Sequence, residues 1–381
     1  MTIYLDNAAS SCPKPESVAA AVHDCLTGAC ANPGRGAHRM AVAAARVIHH
    51  TRKLAAEFLG VADSADLIFT QNATDSLNMV LHGYLRPGDH VVTSAVEHNA
   101  VLRPLKLLAR HGVEVTFAAA DAAGTVEPES VLSLVRPATR LVVLTHSSNI
   151  TGAILPVAEV GEELAARGVP LLVDGAQSAG TLPLDMGSMA VGMLALTGHK
   201  GLLGPQGVGL LYLSPEIELR SLRQGGTGSL SEKEQDELAR PDRYECGTYN
   251  TPGIAGLGAG IDYLQEHGLD DLAAHKARLT IRLQEGLAAT AGVTVYGPPP
   301  GEPRGPLVAF NIGRLPSTAV AAALDRDHDI ASRAGLHCAP GAHRVMGTRD
   351  RGAVRLSIGP FNTERDIDAA LAAVTAIAAG A

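Results

Sequence analysis

Between residues 67 and 213 short apolar runs alternate with helix-patterned segments, and this alternation restricts the fold more than any other feature of the sequence. Runs at 67–70 (LIFT), 90–94 (HVVTS), 113–118 (VEVTFA), 141–145 (LVVLT), 169–173 (VPLLV), 192–197 and 207–213 have the length and composition of strands. Helical patterns fill 73–83, 97–111, 127–136 and 156–167. Strands that alternate with helices predict a mostly parallel sheet, covered on both faces, of the doubly wound α/β class. Seven strands are expected in it.

After Leu213 the alternation stops. A polar segment, Gln224–Asp242, reads as an exposed loop, and a helix at 253–267 bridges to a second unit. The rest mixes helices at 270–290, 317–327 and 363–379 with strands at 293–296, 306–312 and 353–358, around an irregular piece at 331–349. Upstream, a short strand and a proline-punctuated turn precede helices at about 14–28 and 39–59. The division expected is a large α/β domain over 15–264 and a smaller α+β domain made of 1–14 with 265–381. A chain of 381 residues, 46% hydrophobic, has the apolar content for both.

The net charge of −8 and the lack of a basic run argue against nucleic acid or an anionic membrane as partner. The opening MTIYLDNAAS has no basic stretch, and no uncharged run approaches the roughly 20 residues of a membrane span. A cytoplasmic protein without a signal peptide is expected. Five cysteines without a CxxC pair suggest neither a disulfide framework nor a zinc site.

Open α/β sheets bind ligands beyond the carboxyl ends of their strands. After 67–70 comes Asn72-Ala73-Thr74-Asp75, a helix start whose amides and Thr74 hydroxyl suit an anion, or an ordinary N-cap. After 90–94 comes His98, able to stack on a flat ring or carry a proton. After 141–145 comes Asn149, a ligand donor or a turn residue. After 169–173 come Asp174 and Gln177. A carboxylate at the end of a buried strand needs a partner, either a salt bridge or a protonated ring nitrogen. After 192–197 comes Thr197-Gly198-His199-Lys200, leading into a loop with four glycines between 201 and 209. The chain has six lysines against 25 arginines, and only lysine can be deprotonated for Schiff-base chemistry. Lys200 alone also reads as a surface residue. An anion site, a stacking imidazole, a pyridinium partner and an aldehyde-binding lysine are together what pyridoxal 5′-phosphate (PLP) requires.

The segments YLDNAAS, ANPGRGAH, FTQNATDSLN, EHNA, DGAQS, TGHKGLLGPQGVG, ECGTYNTP, RAGLHCAP and RLSIGPFNTERDID occur in order over more than 300 residues. In them the chain resembles the fold-type-I PLP enzymes of the class V aminotransferase family, and within it the group II cysteine desulfurases and selenocysteine lyases. The resemblance implies that Lys200 carries the cofactor Schiff base, Asp174 keeps the pyridine nitrogen protonated and His98 stacks on the ring. Gln177 would bond the phenolic oxygen with Asn149 nearby, and Thr74, Thr197 and His199 would bind the phosphate beside Ala73. Thr248 would reach the phosphate of a partner subunit, which implies a homodimer. Arg355 would clamp the substrate carboxylate, with Arg333, Asn149 and Ala9 nearby. Leu336 stands where many members have the first histidine of HHC, and Asn72-Ala73-Thr74-Asp75 where many have GTTE.

Cys338 sets the reaction type. It follows His337 in GLHCAP, ahead of a short helix expected at 341–346. That helix start, Arg333 and His337 would favour thiolate. A structural cysteine or a metal site with His337 and His343 are the other readings. The family motif implies a nucleophile, and Cys12, Cys25, Cys30 and Cys246 are left as structural. L-cysteine would then yield L-alanine, with the sulfur held as a persulfide on Cys338 until a protein or small-molecule acceptor takes it. The alternatives are a selenocysteine lyase or other PLP-dependent C–S lyase acting on L-selenocysteine or an S-substituted cysteine, and a PLP-binding protein without turnover.

Overall fold

The computed structural model describes residues 2–29, 31–33, 36, 38–228 and 232–380. Cys30, and Gly34, Arg35 and Ala37 of the ANPGRGAH motif, lie outside the described residues. In chain order the first elements are β1 (Ile3–Tyr4), α1 (Glu16–Gly28), α2 (Arg39–Phe58), β2 (Leu67–Thr70), α3 (Ala73–Tyr84), β3 (His90–Ser94), α4 (Asn99–Ala109) and β4 (Glu114–Ala118). There follow α5 (Pro128–Leu132), β5 (Thr139–Thr145), α6 (Val157–Ala166), β6 (Leu171–Asp174), β7 (Met193–Thr197), β8 (Gly209–Leu213), α7 (Thr251–His267) and α8 (Leu269–Ala289). The last are β9 (Val293–Tyr296), β10 (Leu307–Ile312), α9 (Ser317–His328), β11 (Ile330–Ala331), β12 (Arg333–Gly335), α10 (Pro340–Val345), β13 (Ala353–Ser357) and α11 (Glu364–Ala379).

The seven expected strands form one sheet in the order β2-β8-β7-β6-β5-β3-β4. Six of them run in one direction, and β8 alone is reversed, antiparallel to both of its neighbours, β7 and β2. The apolar runs are continuous because both faces are covered. Alternate residues of one strand enter different cores: Leu194 and Leu196 join the cluster on one face, Met193 and Ala195 that on the other. Helix 97–111 shortens to α4 because His98 serves as its N-cap, and helix 127–136 shortens to the five residues of α5.

A second, antiparallel sheet runs β12-β13-β10-β9, and β1 pairs in parallel with β11. Within the segment 331–349, otherwise expected to be irregular, the short helix expected at 341–346 is α10, and β12 is an additional strand. A third core joins Leu5 to Leu279, Phe310, Leu356 and Val374, so both ends of the chain pack together. Among the described residues no helix is long and apolar enough to cross a membrane.

Candidate active site

The carboxyl ends of β2, β3, β5, β6 and β7 open on a cleft of about 390 Å³, closed on its other side by residues 8–9 and by the small sheet. Ala9, Ala73, Thr74, His98, Asn149, Asp174, Gln177, Thr197, His199, Lys200, Arg333, Cys338 and Arg355 all line it, although they come from the full length of the chain. Thr248 does not. It faces a neighbouring hollow of about 430 Å³ with Gln71, Gly207, Arg223 and Asn250, and Asn72 borders both spaces.

The floor is built by the turn after β7. Gly198 donates to the Val208 carbonyl and Gly204 to that of Gly198, which folds the loop back under Lys200. A Cβ on Gly201 would lie 2.2 Å from the Ala179 carbonyl oxygen, so only glycine lets the lysine segment pack against the turn after β6. The N-terminal segment holds the loop from above. Ser11 N donates to the His199 carbonyl (2.9 Å), Lys14 Nζ to the same oxygen (3.0 Å), and Ser11 Oγ to the Lys200 carbonyl (2.9 Å). Burial lowers the Lys200 amine to about 8, with Asp174 pulling the other way and Arg355 adding to the depression.

Two buried polar atoms of this turn, Thr197 Oγ1 and His199 Nδ1, have no hydrogen-bond partner. Unpaired buried polar atoms cost free energy, so a pair lining one cleft marks a place for a polar ligand. Facing them is the start of α3, where Asn72 caps the helix by accepting from Asp75 N (3.0 Å) and Thr74 stays exposed in the first turn. Burial, then Lys200 and Lys14, drive His199 down to about 4, so it is neutral at neutral pH.

His98 Nδ1 accepts the Ala100 amide (3.0 Å), which leaves the ring proton on Nε2. Burial lowers its pKa, against the pull of Asp174. Asp174, itself buried, accepts the Ala176 amide on Oδ1 (3.0 Å). Gln177, expected at the phenolic oxygen, and Asn149, expected beside it, hold backbone carbonyls: Gln177 Nε2 donates to Ala8 O (2.9 Å) and Asn149 Nδ2 to His337 O (2.6 Å).

Arg355 is 2% exposed, the largest fully buried side chain among the described residues. Nη1 donates to the Asn149 carbonyl (2.8 Å), Nη2 to Asp6 Oδ1 (2.7 Å), and Nε has no partner. Asp6, to which the sequence assigned no role, thus holds the arginine expected at a substrate carboxylate, and Arg333 lies 3.8 Å from its other oxygen. Its place in the YLDNAAS motif was the available signal.

Cys338 is an exposed free thiol. It and His337 adopt φ of 56° and 49°, two consecutive left-handed non-glycine residues. Each such residue costs roughly 1–2 kcal/mol, and the turn is pinned by Asn149 at the His337 carbonyl and by Asn99 N at the Cys338 carbonyl (2.7 Å). His337 was expected to bring positive charge to the thiol. Instead burial, then Arg355 and His343, drive it to about 3, and it is neutral. Its Nδ1 meets His343 Nε2 at 3.4 Å. Among the described residues no group of three or more His, Cys, Asp or Glu is placed to hold a metal ion. Cys25 is buried, whereas Cys12, expected to be structural, is exposed.

Residues 3–370 match the family model for class-V aminotransferases. A probable cysteine desulfurase of Methanothermobacter thermautotrophicus is 35% identical over 371 residues, which covers 96% of this chain and 92% of that one. A cysteine desulfurase of Escherichia coli is 34% identical over 377 residues, covering 96% and 90%. Among solved structures, the apo cysteine desulfurase of Thermococcus onnurineus superposes with a TM-score of 0.90 at 32% identity, covering all of this chain and 95% of that one. An Escherichia coli cysteine desulfurase in an S-sulfonic acid form gives 0.88 at 28% identity, covering 98% and 94%.

Proposed function

Because this chain belongs to the class-V aminotransferase family, we propose that it is a cysteine desulfurase that converts L-cysteine to L-alanine and takes the sulfur onto Cys338. The observation that carries this reading is one cleft lined at once by Lys200, Asp174, Arg355 and an exposed free Cys338.

The residues present fit PLP. Thr197 Oγ1 and His199 Nδ1, buried without partners, suit phosphate oxygens together with Thr74 and the start of α3. Asp174 at the end of a buried strand suits a pyridinium nitrogen, and the His98 ring lines the same space. When bound, PLP supplies an aldehyde for amines and an electron sink for the Cα bond pair.

Arg355 and Arg333 orient the substrate carboxylate, supported by Asn149 and Ala9 at the cleft wall. Lys200, with its amine lowered to about 8, is partly unprotonated near neutral pH and takes the Cα proton. Cys338 thiolate then attacks the substrate sulfur. The new S–S bond makes a persulfide, the C–S bond pair stays on carbon, and that carbon takes up a proton to become the alanine methyl. His98 Nε2–H lies on the cleft as a proton carrier for this step. Gln177 and Asn149, tied to Ala8 and His337, fix the distance between the floor and the thiol loop.

The same reading includes a homodimer, with Thr248 completing the phosphate site of a partner subunit, and a sulfur acceptor that reaches Cys338 from outside. It also assigns 15–264 to a large domain and 1–14 with 265–381 to a small one, supported by the separate core around Leu5, Phe310 and Leu356. The test is purified protein mixed briefly with L-cysteine, then alkylated and digested. One extra sulfur on the Cys338 peptide, with alanine formed in equal amount, supports the reading. Pyruvate with no persulfide overturns it.

A further inference from the structure

Behind Cys338 runs a line of three buried side chains to which the reaction gives no part. Thr348 Oγ1 lies 2.8 Å from His343 Nδ1, His343 Nε2 lies 3.4 Å from His337 Nδ1, and His337 Nε2 lies 3.3 Å from the Arg333 carbonyl. The rings stack with centroids 5.6 Å apart and planes inclined by 11°. His343 and Thr348 are shut off from solvent, and neither lines the cleft.

Only one proton arrangement satisfies this line. Burial holds His343 near 4 and His337 near 3, so each ring is neutral and carries a single N–H. The Arg333 carbonyl can only accept, which puts the His337 proton on Nε2 and leaves Nδ1 bare. His343 must then donate from Nε2, and its bare Nδ1 takes the Thr348 hydroxyl proton. One backbone carbonyl at the end therefore sets both tautomers and the hydroxyl rotor.

The chain ends on the residues the reaction needs in place. His337 precedes Cys338 within the left-handed turn, and Arg333 supplies the terminal carbonyl. We propose that His343 and Thr348 are positioning residues for sulfur transfer: through His337 they hold the Cys338 turn in register with the cleft. This rests on the reading of Cys338 as the nucleophile. The two residues touch neither substrate nor cofactor and act through the His337 ring alone.

The test compares holoenzymes on L-cysteine. Thr348→Val keeps the side-chain shape and removes the hydroxyl, Thr348→Ser restores it, and His343→Phe keeps a flat ring without nitrogens. A displaced thiol costs turnover rather than binding, so Thr348→Val and His343→Phe should lose about 10-fold or more in kcat with KM changed less than about two-fold. Thr348→Ser should stay near wild type. The rate at which iodoacetamide alkylates Cys338 without substrate, followed on its peptide, should shift in the same two variants. Should His343→Phe fail to fold, Thr348→Val decides. If Cys338→Ala is inactive while Thr348→Val and His343→Phe keep wild-type kcat, the positioning role is overturned. If Cys338→Ala makes alanine at the wild-type rate, the nucleophile reading falls first, and this proposal with it.

Discussion

Arg333 and Arg355 stand directly opposite each other in the antiparallel pairing of β12 and β13, with the Asp6 carboxylate between them at 3.8 and 2.7 Å. Like charges across a strand pair repel, and Arg355 is buried, so Asp6 makes the pairing tolerable. One net positive charge remains, as the proposed role at a substrate carboxylate requires. Asp6→Asn should therefore lower stability by about 1–3 kcal/mol, read as a shift of the urea midpoint at unchanged slope. It should also alter KM for L-cysteine more than kcat. An unchanged midpoint would mean that Asp6 does not stabilise the pair.

Lys200→Arg provides a sharper test of the lysine than a truncation does. Arginine keeps the charge but cannot give up its proton. The variant should lose the yellow absorbance of the lysine–cofactor adduct and at least about 10³-fold in turnover. In the wild type, borohydride followed by digestion should place the reduced adduct on the peptide with Lys200. An adduct on another lysine rejects the assignment.

Replacing the thiol separates substrates. Cys338→Ala should no longer form alanine from L-cysteine at the wild-type rate; a loss confined to L-cysteine, with turnover of L-selenocysteine largely kept, would instead favour a selenocysteine lyase, because selenium leaves without a thiolate attack. Equal loss on both, with the absorbance intact, would show that the thiol serves both reactions.

Four histidines predict acid sensitivity. His146, His199, His337 and His343 are held at about 4, 4, 3 and 4, mainly by burial. Each folded-state value is below the unfolded 6.5, so the unfolded chain binds more protons. Their stabilising contribution is complete above about pH 6.5 and is lost as pH falls through about 4. The urea midpoint should drop steeply between pH 6.5 and 4.5, and a flat profile there would contradict the burial of these rings.

Glu97 works in the opposite direction. It is fully buried, accepts Ser94 Oγ (2.6 Å) and Thr145 N (3.0 Å) on Oε1, and has no partner on Oε2. Burial lifts its carboxyl to about 8. A folded value above the unfolded one gives a contribution that is full below about pH 4.5 and lost as pH rises through 8. Glu97→Gln cannot ionise, so its midpoint should fall less than that of the wild type between pH 7 and 9.

The strand ends were legible in the sequence because each is local: an apolar run, then a polar or glycine turn. Asp174, Lys200 and His98 lie at such ends, and the structure brings them to one cleft. What was not legible depends on contacts between distant parts of the chain. The strand β12 is three residues long and exists only because β13 offers it a partner. Asp6 meets Arg355 across 349 positions, and nothing in the local pattern of either announces the other. The short helix that carries His343 was legible, but its contact with Thr348 was not, since that order comes from burial rather than periodicity.

The first dozen residues behave as a seam between the lysine loop and the small sheet. Asp6 holds Arg355, Asn7 holds the Ser357 carbonyl, and Ser11 holds His199. During synthesis these early residues must wait, because their partners on β13 leave the ribosome only after more than 350 amino acids have been joined. A chain without β13 would lack the partners of Asp6 and Asn7, so the lysine loop and the small sheet share one cleft only once early and late segments have met.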